Sequence, residues 1–422
     1  MKQLIIIAFL LMPSLPATMF AQEQEVDWEE ECAVLSRELQ KRHPDLFFNG
    51  DSAAFLSRLE NIGTEAEGKD KLVIALEMQQ ALACLGDANT KINYHFLIGR
   101  EQILPLKLYY FEEGLMVMNC DAGAKGLEGR KILSINGYPL EQVRDSLKSL
   151  MAHPEPAQLK ARLPLMLTWV PVLRYFGFAP TNRVEIEAVD DSGQKESFVL
   201  VPSARSDQLA EVQASRLPVS WQNRREYFHH LYLAEEKLCY IQYNKCWSRE
   251  VEEDFGSGAS ALFMPSYREF EKDLLRSLKK NDVEKVVLDL RFNNGGRPEQ
   301  GQWLIQKLEK AKIGKKSAVF LVIGRETEGA AMDNAVEIMK TFQATLVGEA
   351  SGGKPNQYGE PGRFFLTASG LVISCSSRYI SLMDENSPAL HPEIQTPESF
   401  RAYMMGLDPA LRAIEDQSPE VH

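Results

Sequence analysis

Three strings within residues 286–360 leave little freedom for the fold around them. They are V-V-L-D-L-R-F-N-N-G-G at 286–296, S-A-V-F-L-V-I-G-R-E-T-E-G-A-A at 317–331 and L-V-G-E-A-S-G-G-K-P-N-Q-Y-G-E at 346–360. The apolar runs at 286–290 and 318–323 have the length and β-branched content of buried parallel strands. Each run enters a polar turn that carries glycine. Each turn enters a helical spacing of apolar residues: Trp303, Leu304 and Leu308 after the first, Ala335, Val336 and Met339 after the second. Strand, turn and helix in alternation predict an α/β layer. In such layers ligands sit at the carboxyl ends of the strands, where these turns lie.

The same strings resemble the tail-specific proteases, also called C-terminal processing peptidases, and their tricorn core relatives. D-L-R-x-N-x-G-G starts at Asp289, T-x-x-x-A starts at Thr327, and G-E-x-x-G-G-K-P-N starts at Gly348. They occur in the family's order, and weaker matches extend over most of the chain beyond residue 21. The resemblance implies an α/β, crotonase-like C-terminal domain, a helical N-terminal domain and a small β-rich PDZ-like region. It also implies a serine peptidase that acts on the C-terminal ends of peptides or unfolded proteins.

The chain departs from that pattern where the chemistry should be. In the family the turn after the second strand reads like T-F-S-S-A, and its first Ser is the nucleophile. Here Gly329 holds that position and Ala330 the next. Glycine has no side chain with which to form an acyl-enzyme. The family string L-G-D-x-H-T reads Leu85-Gly86-Asp87-Ala88-Asn89-Thr90, so Asn89 stands at the histidine position. An amide cannot take a proton near neutral pH as imidazole does. Lys354 matches the lysine base of the Ser-Lys branch, and Glu385 falls near the catalytic glutamate of the tricorn-like branch. Gly295, Gly296 and Ala330 match the backbone donors for an oxyanion, which need no particular side chain. Ser351, in the A-S-G-G-K turn, and Thr327 are the candidates for a displaced nucleophile.

Length and composition bound the reading. With 422 residues the chain has room for two or three domains. A formal net charge of −12 argues against nucleic acid, whose binding needs a basic face. Residues 1–21 read as a signal peptide: Lys2, an apolar run from Leu4, Pro13 and Pro16, and a small residue at Ala21. The run is short of the roughly 20 residues a membrane span needs. The expected location is therefore periplasmic or extracellular, with no membrane span in the mature protein. The six cysteines form no C-x-x-C, so neither a zinc site nor a cofactor is expected. Most lie in apolar strings and read as buried small side chains.

Four segments are expected: the signal peptide, a helical domain over 22–100, a β-rich PDZ-like region with a helical insert over 101–205, and the peptidase-like α/β domain over 206–422. The string I-L-S-I-N-G carries the PDZ likeness, and such modules add a peptide as an extra strand. Residues 163–178 read as packing between domains, 203–222 as a polar linker, and Asp289 with Arg291 as a structural pair. The expected function is a catalytically inactive peptide- or protein-binding homologue of a tail-specific protease. The alternative is an active serine-type peptidase with a displaced nucleophile and a lysine base.

Overall fold

The computed structural model describes residues 26–203, 209–384 and 388–418. The signal-peptide reading and the Glu385 assignment lie outside the described residues. The chain opens with helices α1 (Trp28–Arg42), α2 (Ser52–Thr64) and α3 (Lys71–Ala83), followed by the short strand β1 (Lys91–Ile92). Each helix starts on an aspartate. The carboxylates of Asp27, Asp51 and Asp70 accept amides of the first turn, which would otherwise lack partners. α-Helix ends at Ala83, and only short 3-10 turns, Tyr94–Leu97 and Arg100–Gln102, follow toward residue 100. Beyond it the Leu85–Thr90 string is a turn, and β1 joins a sheet built from the far end of the chain.

The middle of the chain holds β2 (Leu106–Phe111), β3 (Gly114–Asp121), β4 (Lys131–Ile135) and β5 (Tyr138–Pro139). After these come α4 (Leu140–Lys148), α5 (Pro156–Met166), α6 (Val170–Tyr175), β6 (Val184–Val189), β7 (Lys195–Leu200) and β8 (Leu209–Glu211). They form one sheet in the order β2-β3-β4-β6-β7, with β8 paired to β3 and β5 to β4. The expected linker at 203–222 thus contributes a strand. Asn136 and Gly137, both at positive φ, make the tight β4–β5 turn of the I-N-G string.

The last part begins with α7 (Val219–Gln222), β9 (Phe228–Leu233), β10 (Leu238–Tyr243), α8 (Arg249–Phe255) and α9 (Tyr267–Lys280). Then follow β11 (Lys285–Asp289), α10 (Pro298–Lys310), β12 (Ala318–Ile323), α11 (Ala330–Phe342) and β13 (Thr345–Gly348). The chain closes with β14 (Asn356–Gly359), β15 (Gly362–Phe365), β16 (Val372–Cys375), β17 (Arg378–Ser381), β18 (Ile394–Gln395), α12 (Phe400–Met404) and α13 (Pro409–Glu415). The main sheet has the order β18-β13-β12-β11-β10-β9. Its pairs are parallel except β9–β10. The two apolar strings are β11 and β12, adjacent and in register from Lys285 with Ala318 to Asp289 with Val322. Both are buried along their whole length, because α10 and α11 cover one face and α13 the other.

The hairpin β15–β16 leaves this domain. It pairs with β1 and packs Phe364, Leu366, Leu371 and Ile373 into the core of α1–α3. Glu31 of α1 accepts the Ala368 and Ser369 amides at the hairpin tip. The helical layer is therefore clamped by residues nearly 340 positions away. All six cysteines are free. Five are buried, whereas Cys84 is exposed at the C-cap of α3, where the A-L-A-C-L string had suggested burial.

Arg291, just past β11, is buried among three carboxylates. Its guanidinium donates to Asp289 at 2.9 Å, Glu398 at 2.9 Å and Asp408 at 3.1 Å. Asp408 also caps α13, accepting the Ala410 and Leu411 amides. Burial raises the Asp408 carboxyl, but Arg291 and these donors outweigh it and hold it below its ordinary value. Glu398 has no such cap. Burial, with the nearby Asp408 charge, lifts its carboxyl above the usual range against the pull of Arg291. Removing Arg291 would leave buried charge uncompensated, so Arg291→Ala should cost about 3–5 kcal/mol in urea unfolding. Glu398 has the opposite sign. A carboxyl raised on folding withdraws stability as pH rises from its unfolded value through its folded one. Glu398→Gln should therefore raise the denaturation midpoint at pH 8, with the difference from wild type closing below about pH 4.

Candidate functional site

The turns after β11 and β12 meet at the carboxyl edge of the sheet. Thr327 joins them: its hydroxyl donates to the Leu290 carbonyl at 2.8 Å and accepts the Gly324 amide at 3.0 Å. The chain then passes Glu328 and reaches Gly329, the N-cap of α11, at φ 59° and ψ −133°. Residues with a side chain avoid this region, and it is populated where function holds a strained backbone. Hydrolases place a nucleophile on such a sharp strand-to-helix turn. A Cβ on Gly329 would meet nothing nearer than Gly295 Cα at 3.5 Å and the Asn294 carbonyl at 3.7 Å. There is room for a side chain, and glycine relieves only the backbone strain.

The glycine turn after β11 abuts this point. Gly296 sits at φ 130°, and a Cβ there would lie 2.3 Å from the Cys246 carbonyl oxygen, so only glycine fits. The Gly295 amide donates to the Asn293 side chain at 3.0 Å. This corrects its expected availability as an oxyanion donor. The amides of Gly296 and of Ala330, the first residue of α11, have no acceptor among the described residues.

The 351–354 loop packs behind the Gly329 turn. The Gly353 amide donates to the Thr327 carbonyl at 2.9 Å, and a Cβ on Gly353 would lie 2.9 Å from Glu328 Cα. Lys354, half-buried, makes no hydrogen bond or ion pair among the described residues. Ser351 is fully buried. Its hydroxyl donates to the Gly353 carbonyl and accepts the Leu390 amide, leaving no lone pair or proton directed to solvent. Thr327 is likewise buried with both roles used. Neither hydroxyl is placed to attack a substrate.

Asn89 donates from its amide nitrogen to the Tyr358 carbonyl at 2.8 Å, so it ties the turn after α3 to β14. The turn is held from behind by a buried pair that the sequence gave no sign of. The Asp45 amide donates to His43 Nδ1, and His43 Nε2 lies 3.2 Å from the Asp87 carboxylate. Burial raises the Asp87 carboxyl, but its contact with His43 and the hydrogen bond it accepts from the Asn89 amide help to hold it below its ordinary value.

Three charged residues of the turn pair with other segments, and two of them reach the middle region of the chain. Arg325 donates to the Tyr110 carbonyl of β2 and forms a two-pronged pair with Glu349. Glu326 pairs with Arg224 at 2.5 Å, and Glu328 pairs with Arg162 of α5 at 2.5 Å. Lys91 stands near the last pair. Burial, then the charges of Arg162 and Arg363, push its amine below the ordinary range, while Glu328 and Asp87 oppose them. Arg162 lies in an unremarkable string, whereas Glu328 and Lys91 lie in or beside quoted strings, but nothing in the sequence showed that these residues meet.

A cleft of about 1110 Å³ runs between the middle sheet and this edge. Leu106 to Tyr109 of β2 and Lys160 to Arg162 of α5 line one side, and Asn294, Glu326 and Glu328 line the floor. It therefore ends beside Gly329 and Gly295. Among the described residues no three His, Cys, Asp or Glu side chains are grouped to hold a metal, and no helix is long and apolar enough to cross a membrane.

No family model and no curated protein matches the sequence. Solved structures match the fold. Mature CPAF complexed with lactacystin aligns over 92% of this chain and 97% of its own, with a TM-score of 0.63 and 12% identity. Mature CPAF in a second crystal structure aligns over 94% and 99%, with a TM-score of 0.60 and 12% identity. The photosystem II D1 C-terminal processing protease aligns over 91% and 99% at 15% identity, but its TM-score of 0.43 is too low to argue from. The class is thereby defined: this chain has the tail-specific protease fold. At such identities the likeness is one of fold, and the chemistry rests on the residues at the turn.

The packing behind the turn can be tested directly. A Cβ on Gly352 would lie 2.1 Å from the Arg325 carbonyl oxygen. Gly352→Ala should cost about 1–3 kcal/mol by overpacking, read from the urea unfolding midpoint.

Proposed function

We propose that the protein binds an extended peptide, such as the C-terminal end of an unfolded protein, and does not hydrolyse it. The observation that carries this reading is Gly329: the turn keeps the strained backbone of a nucleophile position and offers no nucleophile. The nearest substitutes, Ser351 and Thr327, are buried and hydrogen-bonded. The position of the histidine base is taken by Asn89, which is engaged with a backbone carbonyl. The Gly296 and Ala330 amides are free to donate to a carbonyl or carboxylate oxygen, and Lys354 belongs to the loop packed behind the same turn.

The cleft supports the binding half of the proposal. β2 is an edge strand of its sheet. The Tyr110 carbonyl points away from β3, since Arg325 takes it, and the backbone of Leu108 points the same way along the cleft. An extended chain can add to such an edge. Residues 1–21 support export, so the peptide would be met outside the cytoplasm.

The test pairs cleavage with binding. Purified residues 22–422 should bind a fluorescent peptide with an apolar C-terminus saturably by anisotropy, and leave it intact by mass spectrometry. Gly329→Ser with Asn89→His should bind comparably and release cleaved product, after about 1–3 kcal/mol of backbone strain at residue 329. Absence of saturable binding would remove the peptide-binding half. Cleavage by the wild type that is lost in Lys354→Ala would establish the displaced-nucleophile peptidase instead.

A further inference from the structure

The small sheet β1-β16-β15 turns one face to the core of α1–α3 and the other away from it. Ile92, Ile373 and Phe364 point into that core. Their neighbours in the pleat point the opposite way. Lys91 of β1 pairs with Ser374 of β16, and Ser374 pairs with Arg363 of β15. Residues paired across a ladder share a face, so these three stand in one row. Strand spacing sets the Lys91 and Arg363 backbones about 10 Å apart, with Ser374 between them. Phe365, farther along β15, is exposed on the same face.

The row is a set of donors without acceptors. Half-buried Lys91 and exposed Arg363 make no side-chain hydrogen bond or ion pair among the described residues. Ser374 is buried. Its oxygen accepts the Asn93 side-chain amide at 3.0 Å, and its hydroxyl proton has no acceptor among the described residues. Burial, then the Arg162 and Arg363 charges, push the Lys91 amine below its ordinary range, so the cations crowd one another. The two carboxylates that oppose them are in use: Glu328 pairs with Arg162, and Asp87 faces His43. Burial, then the Lys91 and Arg363 charges, lower the His95 imidazole, which adds no charge near neutral pH. A chain of net charge −12 has carboxylates to spare. None of them pairs with Lys91 or Arg363 among the described residues.

We infer that the Lys91–Ser374–Arg363 row receives the C-terminal carboxylate of the peptide bound in the cleft, an inference that rests on the peptide-binding reading above. Arg162 and Glu328 line the cleft and also stand beside Lys91, so the row lies past the Glu328 end of the cleft. Charge selects the ligand. Two cations flanking a hydroxyl donor suit a planar group with two anionic oxygens, one for each cation. A chain laid along β2 and ending past Glu328 brings that group to Lys91 and Arg363. Its last side chain then lies toward Phe365, and the Gly296 and Ala330 amides meet a carbonyl farther from its end. The place of the row, beyond the cleft and not along its walls, favours the chain terminus over an acidic side chain.

Two fluorescent peptides that differ only in a free acid or a carboxamide at the apolar C-terminus test this by anisotropy on purified residues 22–422. The free acid should bind roughly tenfold more tightly, the size expected of a hydrogen bond to a charged group. Lys91→Met and Arg363→Gln should each bring the acid-to-amide ratio toward one. Lys91→Arg should keep the ratio, because charge and not packing is being read. Arg363 is exposed, so its variant retains the fold even if Lys91→Met does not. Equal binding of acid and amide by the wild type overturns the inference and leaves the peptide-binding reading standing, whereas binding of neither overturns both. A ratio unchanged in both Lys91→Met and Arg363→Gln overturns the inference as well. So does a carboxamide peptide ending in glutamate that binds as tightly as the free acid, which would assign the row to an acidic side chain.

Discussion

Two buried arginines hold the carboxyl edge of the parallel sheet to the rest of the molecule. Arg291 follows β11 and gathers Asp289, Glu398 and Asp408; Arg325 follows β12 and takes Glu349 and the Tyr110 carbonyl. Each joins segments far apart in the chain. The planar guanidinium fork serves two or three acceptors at once, which an ammonium group in the same place could not match. Buried ion pairs contribute little net stability, yet losing one partner is expensive, so such a network fixes geometry. Here it fixes the two turns that frame Gly329, and with them β2 and the cleft.

That dependence explains how the turn keeps its shape without a side chain at 329. The shape of residues 324–330 comes from Thr327 bridging Leu290 and Gly324, from Gly353 packed on Glu328, and from Arg325 in its pocket. None of these contacts passes through the side chain at 329. A serine there would be strained, and glycine is not. The surrounding scaffold therefore does not depend on a side chain at 329, and the amides of Gly296 and Ala330 stay without an acceptor among the described residues.

The β9 edge of the main sheet and the cleft are mechanically close. β10 continues into Cys246, whose amide donates to the Gly295 carbonyl and whose carbonyl accepts the Arg297 amide. β9 therefore lies next to the strand that leads into the glycine turn. Loops between β9 and α7 also carry Arg224, which stacks on Trp221 and Phe292 and pairs with Glu326 on the cleft floor.

Much of the α/β layer was legible in the sequence. The apolar runs became β11 and β12, the spaced apolar residues became α10 and α11, and the closing helix broke at Asp408-Pro409. These are local signals: burial on both faces writes an unbroken apolar string, and one buried face writes a 3.6-residue repeat. The absence of a side chain at Gly329 was equally plain, because it is a fact of composition. What the sequence hid was contact over distance. The pairing of β1 with β16, the burial of the Ser351 hydroxyl, the use of the Gly295 amide by Asn293 and the meeting of Arg162 with Glu328 arise only when segments up to some 280 residues apart are brought together. A sequence states which groups exist and how each turn and strand is biased. Which hydroxyl reaches solvent, which amide is free and which edge is open depend on what packs beside them, and only the tertiary structure decides that.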